Sequence, residues 1–289
     1  MRTAMRRAFS WLALVAFPAC AGDPPGFDTP ESVVHDERAD VYLVSNIHGA
    51  PLAKDNNGYI ARVAPDGSMQ RYWIVGGKNG VTLHAPKGMA LVGDVLWVAD
   101  IDVLRKFDLG SGAAMGEVAI PGATFLNDVS AGTDGTIYCT DSGLDAQFSG
   151  TGTDAIWRVA NDQPEPLLRG VELGQPNGLV ARDRTVYVVS WRDGTFYQVD
   201  ARGVRTDLGK AEKAQLDGLV RVEAKEAGAS PSWYSTSWAG QCVYRFDVTG
   251  TATALPKTLE QPADCGFDAK RRRLLVPLFG KNKLEILQL

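Results

Sequence analysis

A short β-rich segment recurs six times along the chain and constrains the fold more than any other feature. The copies begin roughly 40 to 55 residues apart, which is the period of the blades of a β-propeller. A second β-rich run follows each copy, and no long helical period interrupts the series. The six copies are residues 41–45, 95–99, 136–140, 185–189, 232–236 and 273–277.

The repeat predicts an all-β fold, a six-bladed β-propeller whose four-stranded antiparallel blades surround a central channel. We expect residues 22–289 to form this single domain. Turn sequences such as Asp66-Gly67 and Asp134-Gly135 fit the hairpins of such blades, because glycine supplies the positive φ that they require. The chain ends on the third strand of the last blade, so we predict that residues 24–29 supply its outer strand.

The first residues have the pattern of an export signal. Arg2, Arg6 and Arg7 precede the apolar run 8–17, which ends in small residues and is too short to span a membrane. We therefore predict a signal peptide over residues 1–21. Cys20 is either the acylated cysteine of a bacterial lipoprotein or part of an ordinary cleavage site. In both cases we expect an exported protein, periplasmic or lipid-anchored at the bacterial envelope.

Charge and cysteine content limit the partners and the cross-links. The net charge is −4 and the basic residues are scattered, so we expect no nucleic-acid partner, and membrane contact only through a lipid anchor. We also expect a monomer. Beyond Cys20 the chain has Cys139, Cys242 and Cys265. Either Cys242 pairs with Cys265, or all three are buried free thiols.

Polar residues recur at the opening of the strand that precedes each repeat copy. In a propeller these innermost strands line the channel and begin on the same face. Carboxylate and amide oxygens gathered there suit a hard divalent cation, with Ca²⁺ the first choice. The alternative is that pairs such as Asn177-Gly178 are turns, but the shared register favours the cation. The channel-facing residues are Glu31, Lys87, Asn127, Asn177, Asp217 and Asp264.

The connections between the second and third strands of the blades return to this face and form the walls of a pocket. They carry Asp141, Trp191 and Trp238, a mixture typical of a site for a small-molecule substrate. His48 lies in the first of these connections. It is either a catalytic acid or base, or a surface loop histidine.

At these residues the sequence resembles the family of senescence marker protein, gluconolactonase and luciferin-regenerating enzyme, whose members include regucalcin. The resemblance implies a six-bladed propeller that binds Ca²⁺ or a similar ion through Glu31, Asn127, Asn177 and Asp217. It also implies hydrolysis of a lactone or related ester, with Asp217 as base or nucleophile. The stretches that carry it are residues 30–34, 125–129, 175–179, 216–218 and 273–276.

One position departs from the family pattern. Sugar-lactone members carry an arginine two residues before the asparagine of the Asn-Asp motif, where this chain has Phe125. An apolar ring cannot replace guanidinium donors, so we expect a more apolar lactone or ester than gluconolactone. Lys87 either pairs with Asp264 or binds an anionic group of the substrate. The competing hypotheses are a non-catalytic calcium-stabilised propeller that binds a ligand or envelope partner, and a propeller without a metal.

Overall fold

The computed structural model describes residues 26–289 and has six antiparallel sheets arranged radially, which confirms the predicted six-bladed β-propeller. The predicted signal peptide and Cys20 lie outside the described residues. Within residues 26–289, helices are limited to two 3₁₀ turns, Val171–Leu173 and Phe279–Lys281. No helix in this range has the length and apolar character that crossing a membrane requires.

The first three blades each contain four strands in sequence order, from the channel outward. Blade 1 consists of β1 (Pro30–Asp36), β2 (Val41–Asn46), β3 (Tyr59–Val63) and β4 (Met69–Val75). Blade 2 consists of β5 (Pro86–Val92), β6 (Val95–Asp100), β7 (Val103–Asp108) and β8 (Ala114–Ala119). Blade 3 consists of β9 (Leu126–Ala131), β10 (Ile137–Asp141), β11 (Ala155–Ala160) and β12 (Gln163–Arg169).

Blades 4 and 5 repeat this arrangement, and blade 6 has three strands in the described part of the chain. Blade 4 consists of β13 (Pro176–Arg182), β14 (Thr185–Ser190), β15 (Thr195–Val199) and β16 (Arg205–Lys210). Blade 5 consists of β17 (Leu216–Val222), β18 (Ser232–Ser237), β19 (Cys242–Phe246) and β20 (Ala252–Ala254). Blade 6 consists of β21 (Gly266–Asp268), β22 (Arg273–Leu278) and β23 (Lys283–Gln288).

The hydrophobic core is divided among the interfaces between neighbouring blades. Between blades 4 and 5, the Phe196 ring lies 5.4 Å from that of Trp233 and 5.1 Å from that of Phe246, measured between centroids. The innermost strands pack against one another around the channel in the order β1, β5, β9, β13, β17 and β21. This ring of strands brings distant parts of the sequence together.

The predicted outer strand for blade 6 is not formed by the described part of residues 24–29. Residues 26, 28 and 29 are bends, and Thr29 has φ of 53°, which is incompatible with a continuous strand. The backbone amides of this segment bond to side chains instead: Asp28 N donates to Asn46 Oδ1 at 3.0 Å, and Thr29 N to Asn282 Oδ1 at 2.8 Å. The segment therefore lies against blades 1 and 6 without extending a sheet.

Direct contacts between the first and last blades close the ring. Asp264 N donates a hydrogen bond to Glu31 O at 2.9 Å, and Ser32 Oγ donates to the Asp264 carboxylate at 2.5 Å. Further out, the Tyr42 hydroxyl donates to Asp268 Oδ2 at 2.6 Å. These groups are buried, so each of them depends on its partner in the other blade.

The three cysteines of the described chain are buried free thiols, so the alternative pairing of Cys242 with Cys265 is wrong. Cys242 lies on the third strand of blade 5 and packs in the core between blades 4 and 5. Cys265 packs in the next core, between blades 5 and 6. The two residues therefore belong to different blade interfaces.

We expect Tyr42→Phe to lower the free energy of unfolding by about 1.5–3 kcal/mol, because a buried hydrogen bond to a carboxylate is lost. Urea denaturation measures this value. Tyr138→Phe is the matched control, since the Tyr138 hydroxyl donates no hydrogen bond within residues 26–289. Equal destabilisation by the two substitutions would contradict a closing role for the Tyr42–Asp268 bond.

Candidate functional site

The second residue of each of the first five innermost strands lies in one pocket at one end of the channel. These residues are Glu31 in β1, Lys87 in β5, Asn127 in β9, Asn177 in β13 and Asp217 in β17. Each is at most 6 % exposed. The sequence register thus brings together the four oxygen-bearing side chains and the lysine.

An irregularity in strand pairing accompanies this register. In β5, β13 and β17 the pairing with the second strand shifts just after the first residue, so Lys87, Asn177 and Asp217 fall within the shift. Such bulges re-aim side chains and are common beside functional sites. The local backbone therefore turns these side chains out of the regular alternation of the strand.

Asp264 does not belong to this pocket, which corrects its predicted position. Pro262 bridges to Leu278 just as Pro30 pairs with Asn46, so Ala263 is the equivalent of Glu31. Asp264 lies one residue further along the channel and lines a separate cavity of about 210 Å³.

Lys87 and Asp264 do not form the ion pair given as one alternative. No ion pair joins Lys87 to any carboxylate within residues 26–289. Instead, Lys87 Nζ donates to Pro51 O and to Ala85 O, each at 3.0 Å. Burial lowers the pKa of Lys87 to about 8, against the opposing effect of Glu31. An ammonium group has three donors, so one N–H remains after these two bonds.

The Asn-Gly and Asp-Gly pairs are parts of strands, so the alternative of independent turns is wrong. Gly178 lies in β13 and Gly218 in β17, and neither has a positive φ. A Cβ at Gly178 would lie 2.4 Å from Asp217 O, and one at Gly218 would lie 2.2 Å from Cys265 N. Glycine is needed there because neighbouring innermost strands approach closely.

Four oxygen atoms in the pocket are buried without a hydrogen-bond partner among the described residues. They are Glu31 Oε2, Asn127 Oδ1, Asn177 Oδ1 and Asp217 Oδ1. Buried polar atoms are rarely left unpaired in folded proteins, so four in one pocket indicate a ligand that satisfies them.

Ser142 orients one of these groups. Asn127 Nδ2 donates to Ser142 Oγ at 3.0 Å, and Ser142 Oγ donates to Pro176 O at 2.7 Å. Because this bond fixes the orientation of the amide, Asn127 Oδ1 is directed toward the pocket.

The carboxylates of the pocket are strongly destabilised in their charged form. Burial raises the pKa of Glu31 well above its usual value, and repulsion from Asp217 and Asp264 adds to the shift, while Lys87 opposes it. Burial also raises the pKa of Asp217, and repulsion from Asp264 raises it further, while the Trp238 indole lowers it. A cation bound between these carboxylates would remove the cost.

The donor set fits a hard cation with oxygen ligands. Two carboxylates and two amides offer the oxygen ligands that Ca²⁺ prefers, with water completing its coordination. No group of three or more His, Cys, Asp or Glu side chains within residues 26–289 is placed to hold a metal ion. In this pocket the amide oxygens of Asn127 and Asn177 complete the set of oxygen donors begun by Glu31 and Asp217.

Aromatic side chains form an arc around the pocket, including Phe125 and the predicted wall residues Trp191 and Trp238. Successive ring centroids lie 6.1, 6.4, 5.3 and 5.2 Å apart. The pocket between them has a volume of about 30 Å³, enough for an ion and little more. The arc runs through Phe125, Phe148, Trp191, Trp238 and Phe279.

His48 does not reach the pocket, which corrects its assignment as a candidate catalytic residue. Its Nδ1 lies 3.1 Å from Asn57 O, and its Nε2 lies 3.5 Å from Asp28 Oδ2. The ring therefore faces the chain segment before β1 and its own loop. The alternative of a surface loop histidine agrees with this position.

Asp141 also has a different position from the one predicted. Its buried carboxylate accepts hydrogen bonds from the backbone amides of Phe125 at 2.9 Å, Gly143 at 3.0 Å and Thr124 at 3.2 Å. These bonds fix the conformation of the segment that enters β9 and of the loop that follows β10. Asp141 thus supports the pocket wall from behind and does not line it.

Sequence reasoning placed Ser142 in a wall connection, directly after β10, but gave it no role. It did not name Phe148 or Pro51, which line the pocket. Phe148 and Pro51 lie in long connections whose conformation no repeat specifies.

Fold and pocket together define a six-bladed propeller with a polar site at one end of its channel. Neither a family model nor a curated protein matches the sequence. Among solved structures, a gluconolactonase from Xanthomonas campestris has a TM-score of 0.68 at 18 % identity, covering 91 % of this chain and 86 % of that one.

Other propellers share the fold. Virginiamycin B lyase from Staphylococcus aureus, crystallised with quinupristin as a catalytically inactive variant, has a TM-score of 0.59 at 16 % identity over 90 % of this chain and 94 % of that one. A chain of a nidogen–laminin complex has 0.58 at 16 % identity, covering 81 % and 91 %. At these identities the likeness to gluconolactonase-like proteins rests on the fold alone.

We expect Gly178→Ala to destabilise the protein by about 3 kcal/mol or more, because the added methyl group would collide with the backbone of Asp217. Thermal or urea denaturation measures the loss. Gly110→Ala is the control, since its Cβ would meet only Asp108 Oδ1 at 3.5 Å. A Gly178→Ala protein as stable as the control would contradict the close packing of the innermost strands.

Proposed function

We propose that this protein is a divalent-cation-dependent hydrolase of lactones or related esters, with Ca²⁺ as the first candidate ion. Glu31, Asn127, Asn177 and Asp217 would hold the ion. The observation that carries the proposal is the set of four buried oxygen atoms without partners, contributed by four different innermost strands to one pocket. The gluconolactonase-like neighbour supports the choice of reaction only through its fold.

The pocket offers distinct groups for such a reaction. When bound, the cation would act as a Lewis acid toward a carbonyl oxygen. We assign to Asp217 the role of base toward water or of direct nucleophile, since its Oδ1 has no partner in the described chain. The remaining N–H of Lys87 can donate to a substrate oxygen. Phe125 offers no donors for sugar hydroxyls, which argues against gluconolactone.

A second candidate function is a non-catalytic, calcium-stabilised propeller that binds a ligand or envelope partner. The small volume of the polar pocket favours this alternative, because about 30 Å³ accommodates an ion but no substrate without rearrangement of the aromatic arc. In that case the cation would stabilise the ring of blades and take no part in chemistry.

We expect Ca²⁺ to raise the melting temperature of the protein, with a stabilisation of about 2.7 kcal/mol when free Ca²⁺ is a hundred times its dissociation constant. Asp217→Asn should remove most of this stabilisation, together with any hydrolysis of a panel of lactones and esters. Calorimetric titration with Ca²⁺ and the melting temperature with and without a chelator measure the effect. Asp102→Asn, a half-exposed carboxylate in the β6–β7 turn that pairs with Lys54, is the control.

The outcomes separate the two candidates. Hydrolysis that falls on chelation and in Asp217→Asn, but not in Asp102→Asn, supports the enzyme. Calcium binding and stabilisation through Asp217 without turnover of any substrate supports the non-catalytic propeller. Failure of Ca²⁺ and other divalent ions to bind the protein contradicts both.

We also propose that the protein is exported and acts as a monomer. The charged and apolar character of residues 1–21 supports export, and Cys20 is the candidate for acylation. Labelling with a palmitate analogue in a bacterial host, compared with Cys20→Ser, tests the anchor. Label retained by Cys20→Ser would exclude acylation at this cysteine.

A further inference from the structure

An apolar cleft lies beside the polar pocket, between the loop after β2 and the loop after β10. It has a volume of about 280 Å³. The one charged residue in its lining is Asp145, whose Oδ1 accepts hydrogen bonds from the backbone amides of Gln147 at 2.9 Å and Ser149 at 2.8 Å. Its apolar walls come from Pro51, Leu52, Ala53, Phe125, Ala146 and Phe148.

The cleft and the polar pocket share a wall. Pro51, Phe125 and Phe148 line both. Lys87 ties this wall to the polar groups, because its Nζ donates to Pro51 O and lies 4.7 Å from the centroid of the Phe125 ring. A ligand whose polar end enters the pocket would therefore meet the cleft with its adjoining atoms.

Phe148 lies at the boundary of the two cavities, and both its exposure and its backbone conformation are unusual for a phenylalanine. It is 41 % exposed, and its φ of 58° is rare for a bulky side chain. A tight turn holds it there, since Phe148 N donates to Asp145 O at 3.0 Å and Asp145 N donates to Ser149 O at 2.9 Å. Its ring stacks near Trp191, with centroids 6.4 Å apart. Backbone strain of this kind is concentrated at ligand clamps and active sites.

We propose that this cleft is the specificity subsite of the protein, and that it receives the apolar part of a lactone or ester whose reacting carbonyl enters the polar pocket. This inference rests on the proposed function. The volume of the cleft accommodates an aliphatic chain or an aryl group of the order of ten non-hydrogen atoms. The substrate class is therefore acyl- or aryl-substituted lactones and esters, and not polyhydroxylated sugar lactones.

A series of esters that differ only in acyl chain length tests the subsite. Each buried methylene should raise kcat/KM about fourfold until the cleft is filled. Ala146→Trp, a substitution of an exposed loop residue in the lining, should end this rise at a shorter chain, so that its loss of kcat/KM grows with chain length. Ala227→Trp, an exposed residue in the β17–β18 connection at the other end of the channel, should match wild type.

A rate that does not depend on chain length in the wild type, while hydrolysis still requires Ca²⁺, would overturn the subsite and leave the proposed function intact. Equal loss for short and long esters in Ala146→Trp would overturn it as well, because a filled cleft must discriminate by length.

Binding measurements with compounds that are not hydrolysed test the cleft independently of the proposed hydrolysis. Titration calorimetry with non-hydrolysable alkyl amides of increasing length measures their affinity for the protein. Affinity that rises with length in wild type and Ala227→Trp, but not in Ala146→Trp, supports the cleft even if no ester is hydrolysed. Affinity that is independent of length in all three proteins overturns it.

Discussion

The hydrogen bonds that join Asp264 to β1 are the contact on which the rest of the site depends. Asp264 N bonds to Glu31 O, and the Asp264 carboxylate accepts from Ser32 Oγ. Within residues 26–289, these bonds hold the first innermost strand against the last blade, and the segment before β1 adds no strand to that blade. Glu31 lies at this contact between the first and last blades, so the pocket is completed when the ring closes.

The closed ring concentrates destabilising features around the channel. Buried carboxylates repel one another, strands approach until only glycine fits at Gly178 and Gly218, and polar oxygens lack partners within the described chain. Natural proteins keep such conflicts mainly where function requires them. The hydrophobic interfaces between blades supply the stability that makes this arrangement possible.

The repeat made the fold and most of the pocket predictable. Strands of fixed period place equivalent residues at equivalent depth, so Glu31, Asn127, Asn177 and Asp217 could be brought together from their register alone. In blade 6 the same register selects Ala263, so the polar Asp264 lies one residue beyond the equivalent position. The repeat register does not determine the conformations of the loops. The backbone bonds of Asp141, the distance of His48 from the pocket and the strained turn at Phe148 depend on local conformations that composition does not encode.

The closing joint also has a consequence for biosynthesis. Ser32 and Asp264 are separated by 232 positions, so an emerging polypeptide carries Glu31 long before its counterpart in the last blade exists. Chains that stop before blade 6 expose one side of β1 to solvent and leave the pocket incomplete. The pocket can therefore be completed only after blade 6 has been synthesised.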